Sequence, residues 1–356
     1  MNVHATPSSS SVTDPVALLY AGVSEANNFA IMEKLRASFL KGPRDANLAD
    51  HMDKLIANAV QREDTELPPS FENRSRGSGL VLIGPTGVGK SKSLERYFKK
   101  HPVLCGYEDP ASSSPLVSVE VPSPCTSVQL ARALLRATGY TLERDLPAHR
   151  LWEKAFDRVQ QMRKFIVHFD EMQHVVHNMP ERDLQQMADT LKNAMYARRI
   201  TLVLSGVATL EPFIQYDPQL FRRLTIVPFK GITPDRHDEI RKMIVTYVAA
   251  AGLKAIDKSD IDTDDFISRL SHAALDAYGY SIVLTHLAIE NALQCGHDQL
   301  ALSHFSAIYI AKTGFTAERN PFRADDWHKI DCSKMFEKPE ELPLESPTSR
   351  KRKGKK

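Results

Sequence analysis

The sequence contains no apolar run approaching the roughly 18 consecutive residues that span a bilayer, so no membrane helix is expected. Cysteine is scarce. Cys105, Cys125, Cys295 and Cys332 stand far apart, without C-x-x-C or metal-ligand spacing. A zinc knuckle or a disulfide framework is therefore not expected, and reduced thiols in a cytoplasmic protein are the simplest account. The first fifteen residues are Ser-rich and lack the basic start and apolar core of a secretory leader. Overall charge of one sign is also missing. The net charge is +2 over 356 residues, so global charge decides little and its distribution is more useful. Positive charge is concentrated only in the tail Arg350–Lys356, which suits contact with nucleic-acid phosphates or simple solvation. No internal repeat is visible.

What is present is an ordinary soluble composition, 42% hydrophobic and 25% charged. The length suits one core with a smaller companion. Residues 1–22 are expected to be flexible, and 23–62 carry a helical periodicity. Glu66-Leu-Pro-Pro-Ser70 then interrupts the pattern. Short apolar runs at 79–83, 117–121, 164–169, 200–204 and 224–229 read as strands. Helical stretches at 90–100, 126–138, 148–163 and 181–198 alternate with them. Such alternation predicts an α/β fold with a parallel five-stranded sheet flanked by helices. Beyond residue 231 only helices are expected, over 234–251, 264–278, 281–293 and 302–312. From Asn320 the pattern fades. Four segments are expected: 1–70, a partly flexible helical extension; 71–230, the α/β core; 231–315, an all-helical lid; and 316–356, an extension with the basic tail.

The segment Gly84, Pro85, Thr86, Gly87, Val88, Gly89, Lys90 and Ser91 matches G-x-x-x-x-G-K-[ST] between a strand and a helix. Glycines let successive main-chain amides converge on phosphate oxygens, and the following helix offers them its positive end. Lys90 is placed to reach the β and γ phosphates of ATP, and the Ser91 hydroxyl to hold Mg2+. Asp170 and Glu171 follow the apolar strand 164–169. At the mouth of a neighbouring strand, Asp170 would hold the same Mg2+ and Glu171 would activate the attacking water. His168, inside that strand, reads as an interior histidine rather than a catalyst. Ser205 ends the next strand, either facing the γ-phosphate or water, or merely closing the strand with a polar group. Arg222 and Arg223 suit transition-state charge supplied from a neighbouring subunit, or a solvated basic helix end. Ser123, Thr126, Ser127 and Arg132 follow the strand 117–121 and suit sequence-tolerant contacts to DNA phosphates. Thr126 or Ser127 serves equally well as a helix cap.

This set, a strand with a phosphate loop, Asp170-Glu171, a strand ending in Ser205, and Arg222-Arg223 before a helical module, resembles the AAA+ class of P-loop NTPases. More narrowly, Leu202–Leu210 (LVLSGVATL), Tyr216–Arg223 (YDPQLFRR) and Asp170–His174 (DEMQH) resemble the TniB/TnsC family of transposition regulators. The resemblance covers about residues 20–315. It implies an ATPase that assembles as rings or helical filaments on double-stranded DNA, links a target-selection protein to the transposase, and disassembles on hydrolysis. Another AAA+ initiator or loader, or a non-hydrolysing ATP-dependent scaffold, would share the same residues. One departure stands out. The lid helix over Gly279–Ala288 (GYSIVLTHLA) lacks the arginine that many AAA+ proteins turn toward the γ-phosphate, so no second nucleotide sensor is assigned.

Overall fold

The computed structural model describes residues 14–24, 27–254, 260–261 and 263–336. Short apolar runs buried on both faces cannot leave main-chain polar groups unpaired, and side-by-side pairing satisfies them. Along the chain run α1 (Pro15–Ser24), α2 (Asn27–Ala37), α3 (Pro43–Ala59), β1 (Gly79–Ile83), α4 (Lys90–Lys100), β2 (Leu116–Glu120), α5 (Ser127–Ala137), α6 (Ala148–Gln161) and β3 (Ile166–Asp170). They continue with α7 (Gln173–Asn178), α8 (Glu181–Ala197), β4 (Thr201–Gly206), α9 (Glu211–Gln215), α10 (Pro218–Phe221) and β5 (Leu224–Pro228). Four longer helices follow: α11 (His237–Ala250), α12 (Asp264–Ala273), α13 (Tyr278–Gln294) and α14 (Leu302–Thr313).

The five strands form one parallel sheet in the order β2-β3-β4-β1-β5. Alternation along each strand divides the side chains between two faces. Val81, Ile83, Val117, Val119, Val167, Phe169, Leu202 and Leu204 share a core with α5, α6 and α8. Leu80, Leu82, Leu116, Ile166 and Val203 face the other way, against Leu48, Met52 and Leu55 of α3 and Leu94 and Phe98 of α4. The spacing of those α3 residues puts one stripe on the sheet, and Pro43 starts the helix where a missing amide costs nothing.

The helices after β5 build a core of their own. Ile240, Ile244, Phe266, Leu270, Leu284, Ile289 and Phe305 pack together with Met32 and Leu35 of α2.

Three local expectations are corrected. Pro15–Ser24 is helical rather than flexible: α1 lays Tyr20 edge-on against Phe29 of α2 and bonds Glu33 through the Tyr20 hydroxyl. The helical stretch 23–62 is split, since α2 ends at Ala37 and Gly42-Pro43 starts α3 after a short non-helical link. The chain after Asn320 does not drift away. Phe322, Cys332 and Met335 are buried in the lid core, and each large apolar side chain buried in this way contributes ~1.5–3 kcal/mol. The basic tail Arg350–Lys356 lies outside the described residues. All four cysteines are free thiols, and no described helix is long and apolar enough to cross a membrane.

Candidate nucleotide site

β1 ends at Ile83 and α4 begins at Lys90, so Gly84–Ser91 lies at the carboxyl edge of the sheet. Gly87 (φ +76°) and Gly89 (φ +100°) adopt the left-handed conformations that turn the loop on itself. Val88 is buried and pins the loop to the α4 side of the sheet, while Pro85 and Thr86 are exposed. Lys90 is only 5% exposed. Its ammonium donates to the Gly84 carbonyl (2.8 Å) and the Pro85 carbonyl (3.0 Å), so the cation lies over its own loop. Burial lowers its pKa, while Glu171 and Asp170 pull it upward, so both acids are within electrostatic reach of the loop. Lys90, Asp170 and Glu171 are thus brought together.

The acids do not come from the strand next to β1. β4 lies between β1 and β3, which separates the two strands by ~10 Å. That gap leaves room between the loop and the acids. Asp170 Oδ1 accepts from the Glu171 amide (3.0 Å) and from the Ser205 hydroxyl. Its second oxygen accepts nothing among the described residues. Glu171 has φ +58°, outside the range ordinary residues favour; holding a residue there costs about 1–3 kcal/mol. Its carboxylate accepts from the Gln173 side chain. Ser205 is fully buried, with its hydroxyl on Asp170 and His168. It lies beside Asp170, not in open space above the loop.

The donor set suits Mg2+. The half-buried Ser91 hydroxyl bonds to nothing among the described residues, and Asp170 keeps an oxygen free. Hard oxygen ligands few in number fit an ion that keeps its waters and takes most of its remaining contacts from phosphates. No group of three or more His, Cys, Asp or Glu that could hold a metal occurs among the described residues.

Several residues at this site escaped the sequence reasoning. Arg44 of α3 donates to the Val88 carbonyl (2.9 Å), and its guanidinium lies over the rings of Phe229 (4.8 Å) and Tyr278 (4.1 Å). Burial lowers its pKa, opposed chiefly by Asp45. From the lid, the Tyr280 ring covers Gly87 so closely that a Cβ there would overlap it. Burial raises the Tyr280 pKa, and Glu171 raises it further. Phe336 stacks flat on Tyr280, with ring centroids 3.7 Å apart and planes 4° from parallel. The departure of Gly279–Ala288 from the arginine pattern marked this helix but could not show that a tyrosine faces the loop.

Arg222 and Arg223 lie at the opposite, amino edge of the sheet, just before β5, whose Leu224 pairs with Gly79. Arg222 is exposed, and Arg223 reaches the Gly77 carbonyl (3.4 Å) with Tyr196 beneath it. Together with Lys192, Asn193 and Gln219 they line a cleft of about 550 Å3. Of the DNA candidates, Thr126 caps α5, exchanging bonds with Gln129 (3.3 and 2.7 Å). Ser127 accepts from the Trp152 indole (3.0 Å), and Arg132 pairs with Asp145 (2.7 Å). Ser123 is exposed at the loop after β2.

A phosphate loop, an acid pair two strands away and a polar residue on the strand between them form one constellation. Residues 65–232 match the family described as Bacterial TniB protein. The α/β core belongs to the TniB family. Two solved structures share the AAA+ fold of this TniB core and its helical lid. One is the Aeropyrum pernix ORC1 protein, solved in complex with DNA, at 17% identity over 81% of this chain and 69% of that one, with a TM-score of 0.53. The other is Cdc6p from Pyrobaculum aerophilum, at 13% identity over 82% and 75%, with a TM-score of 0.51. At such identities the likeness is one of fold. No curated protein matches the sequence.

Proposed function

We propose that this chain is an ATPase that assembles on double-stranded DNA and regulates transposition. The convergence of Lys90 with Asp170 and Glu171 at one sheet edge carries the reading. The TniB match of residues 65–232 supplies the transposition context. In this reading the main-chain amides of Gly84–Ser91 hold the triphosphate of ATP, and Lys90 leaves the Gly84 and Pro85 carbonyls for the phosphates. Glu171 orients a water and takes its proton, and the Asp170 orientation is held by Ser205. Mg2+, held by Ser91 and Asp170, would neutralise charge on the phosphates.

Arg222 and Arg223 are too far along the sheet to serve their own subunit's site, since five strand residues span ~17 Å. That placement supports an arginine supplied to a neighbour's nucleotide in a ring or filament, with ATP at the subunit interface. The divisions 1–70, 71–230, 231–315 and 316–356 are proposed as the functional segments. The first and last would meet the target-selection protein and the transposase. DNA contacts would be phosphate-directed, sequence-tolerant and salt-sensitive, with Ser123 the least engaged of the candidates. A cytoplasmic location accords with free thiols.

The test is steady-state ATP hydrolysis with DNA, alongside electron microscopy with a non-hydrolysable ATP analogue. Wild type should turn over ATP and form rings or filaments. Lys90→Ala should lose nucleotide binding. Glu171→Gln should bind ATP, turn over at least roughly 100-fold more slowly and remain on DNA. Monomers on DNA, or ATP affinity retained in Lys90→Ala, would reject the reading.

A further inference from the structure

Three polar side chains on the α4 side of the sheet are linked in a way the strand pattern does not require. Ser118 of β2 sits opposite His168 of β3. Its hydroxyl is 2.8 Å from His168 Nδ1. His168 Nε2 is 3.1 Å from the Ser205 hydroxyl on β4. That hydroxyl in turn reaches Asp170 Oδ1. The imidazole is 3% exposed, with Phe98 of α4 edge-on to it at 5.3 Å. The chain therefore runs across three adjacent strands and ends on the carboxylate assigned to the metal.

The direction of the protons follows from what each group is able to do. A carboxylate that holds a cation is ionised and only accepts. Ser205 has one proton and gives it to Asp170, the nearest acceptor; the alternative, the Phe169 carbonyl, is at 3.5 Å. Ser205 must then accept from His168, which puts the imidazole proton on Nε2. Nδ1 is left as an acceptor and takes the Ser118 proton. Every donor points toward Asp170, and no group is left to donate in the reverse direction. Oδ1 is held by two donors, Ser205 and the Glu171 amide, and this turns Oδ2 outward.

We propose that Ser118, His168 and Ser205 form a one-way donor chain that fixes the rotamer of Asp170 and so sets the affinity of the site for Mg2+. The inference rests on the ATPase reading above. His168 and Ser118 are positioning residues in it. They touch neither nucleotide nor metal, and they act through Ser205.

The two nitrogens of the ring make the proposal separable from a role in packing. Glutamine at 168 carries its amide where Nε2 lies and keeps a donor for Ser205. Asparagine carries its amide where Nδ1 lies and keeps only the contact with Ser118. The experiment measures the affinity of the full chain for a fluorescent ATP analogue with and without Mg2+, in wild type, Ser118→Ala, His168→Gln, His168→Asn and Ser205→Ala. The quantity compared is the gain in affinity that Mg2+ supplies. Removing an outer partner of a metal ligand costs about 10- to 100-fold in metal affinity. The gain should therefore shrink by roughly tenfold or more in Ser205→Ala and His168→Asn, and His168→Gln should keep most of it. Equal losses in the Asn and Gln variants, or wild-type gains in both, would overturn the proposal. Should neither His168 variant fold, Ser205→Ala decides: a reduced gain supports the chain, and a wild-type gain overturns it. A wild-type chain that binds no ATP, or gains nothing from Mg2+, removes the ATPase reading and this inference together. Failure confined to the variants removes this inference alone.

Discussion

A single methyl group at position 87 would meet the ring of Tyr280, whereas one at position 89 would meet only Arg44 Nη2, at 3.6 Å. Both glycines have positive φ. Alanine in the left-handed region costs about 1–2 kcal/mol. Thermal unfolding without nucleotide should therefore show a loss of that size in Gly89→Ala and a larger one in Gly87→Ala, where overlap adds to strain. Equal losses would show that the tyrosine does not rest on the loop. His286 makes a separate, pH-dependent prediction. Burial, assisted by Arg36, pushes its pKa down to about 4, and its Nε2 has no hydrogen-bond partner among the described residues. Between pH 4 and the ordinary value near 6.5 the unfolded chain binds more protons than the folded one. His286 thus contributes stability that is full above about pH 6.5 and is lost as the pH falls toward 4. Urea midpoints should fall across that window, and His286→Phe should make the fall shallower. An identical slope would reject the assignment. His168, also lowered to about 4, leaves part of the slope in the variant.

Secondary structure was legible wherever the chain's own periodicity decides it. Each of the five strands and the flanking helices α4, α5, α6 and α8 follow from buried spacing, and the phosphate loop follows from glycines between a strand and a helix. Strand order was not legible. The apolar content of β3 and β4 is alike, so nothing in it says that β4 sits beside β1 and pushes Asp170 one strand further out. The contacts of Arg44, Tyr280 and Phe336 were equally hidden, because they join residues far apart in sequence on faces that periodicity leaves undetermined. Those contacts allow a prediction at the level of the lid. Phe336→Ala and Tyr280→Ala should each release the first turn of α13 from Gly84–Ser91. Amide exchange at Gly87–Gly89 and at the start of α13 should become faster, while exchange in β1 and β4 stays slow. Unchanged protection at both places would show that the stacked rings do not hold the lid.

At the scale of the molecule, the loop and the arginine pair occupy opposite edges of one sheet. No single subunit completes the catalytic set if Arg222 or Arg223 belongs to it. Mixing two inactive variants tests this arrangement. Lys90→Ala lacks a working loop but keeps its arginines, and Arg222→Ala/Arg223→Ala keeps its loop. In an equal mixture of randomly ordered subunits, roughly a quarter of interfaces unite an intact loop with intact arginines, so turnover should recover to about that fraction of wild type. No recovery above the separate variants would remove the shared-site arrangement.

The flat contact between Phe336 and Tyr280 has a wider consequence. One ring rests on the loop Gly84–Ser91, and the other follows the short turn Ser333–Met335 that packs on the helical core. Whatever lifts Tyr280 also disturbs Phe336, and whatever displaces Phe336 uncovers Tyr280. Linkage of this kind is reciprocal by thermodynamic necessity. A ligand that displaces Phe336 and one that displaces Tyr280 from the loop would each change the other's affinity by the same factor.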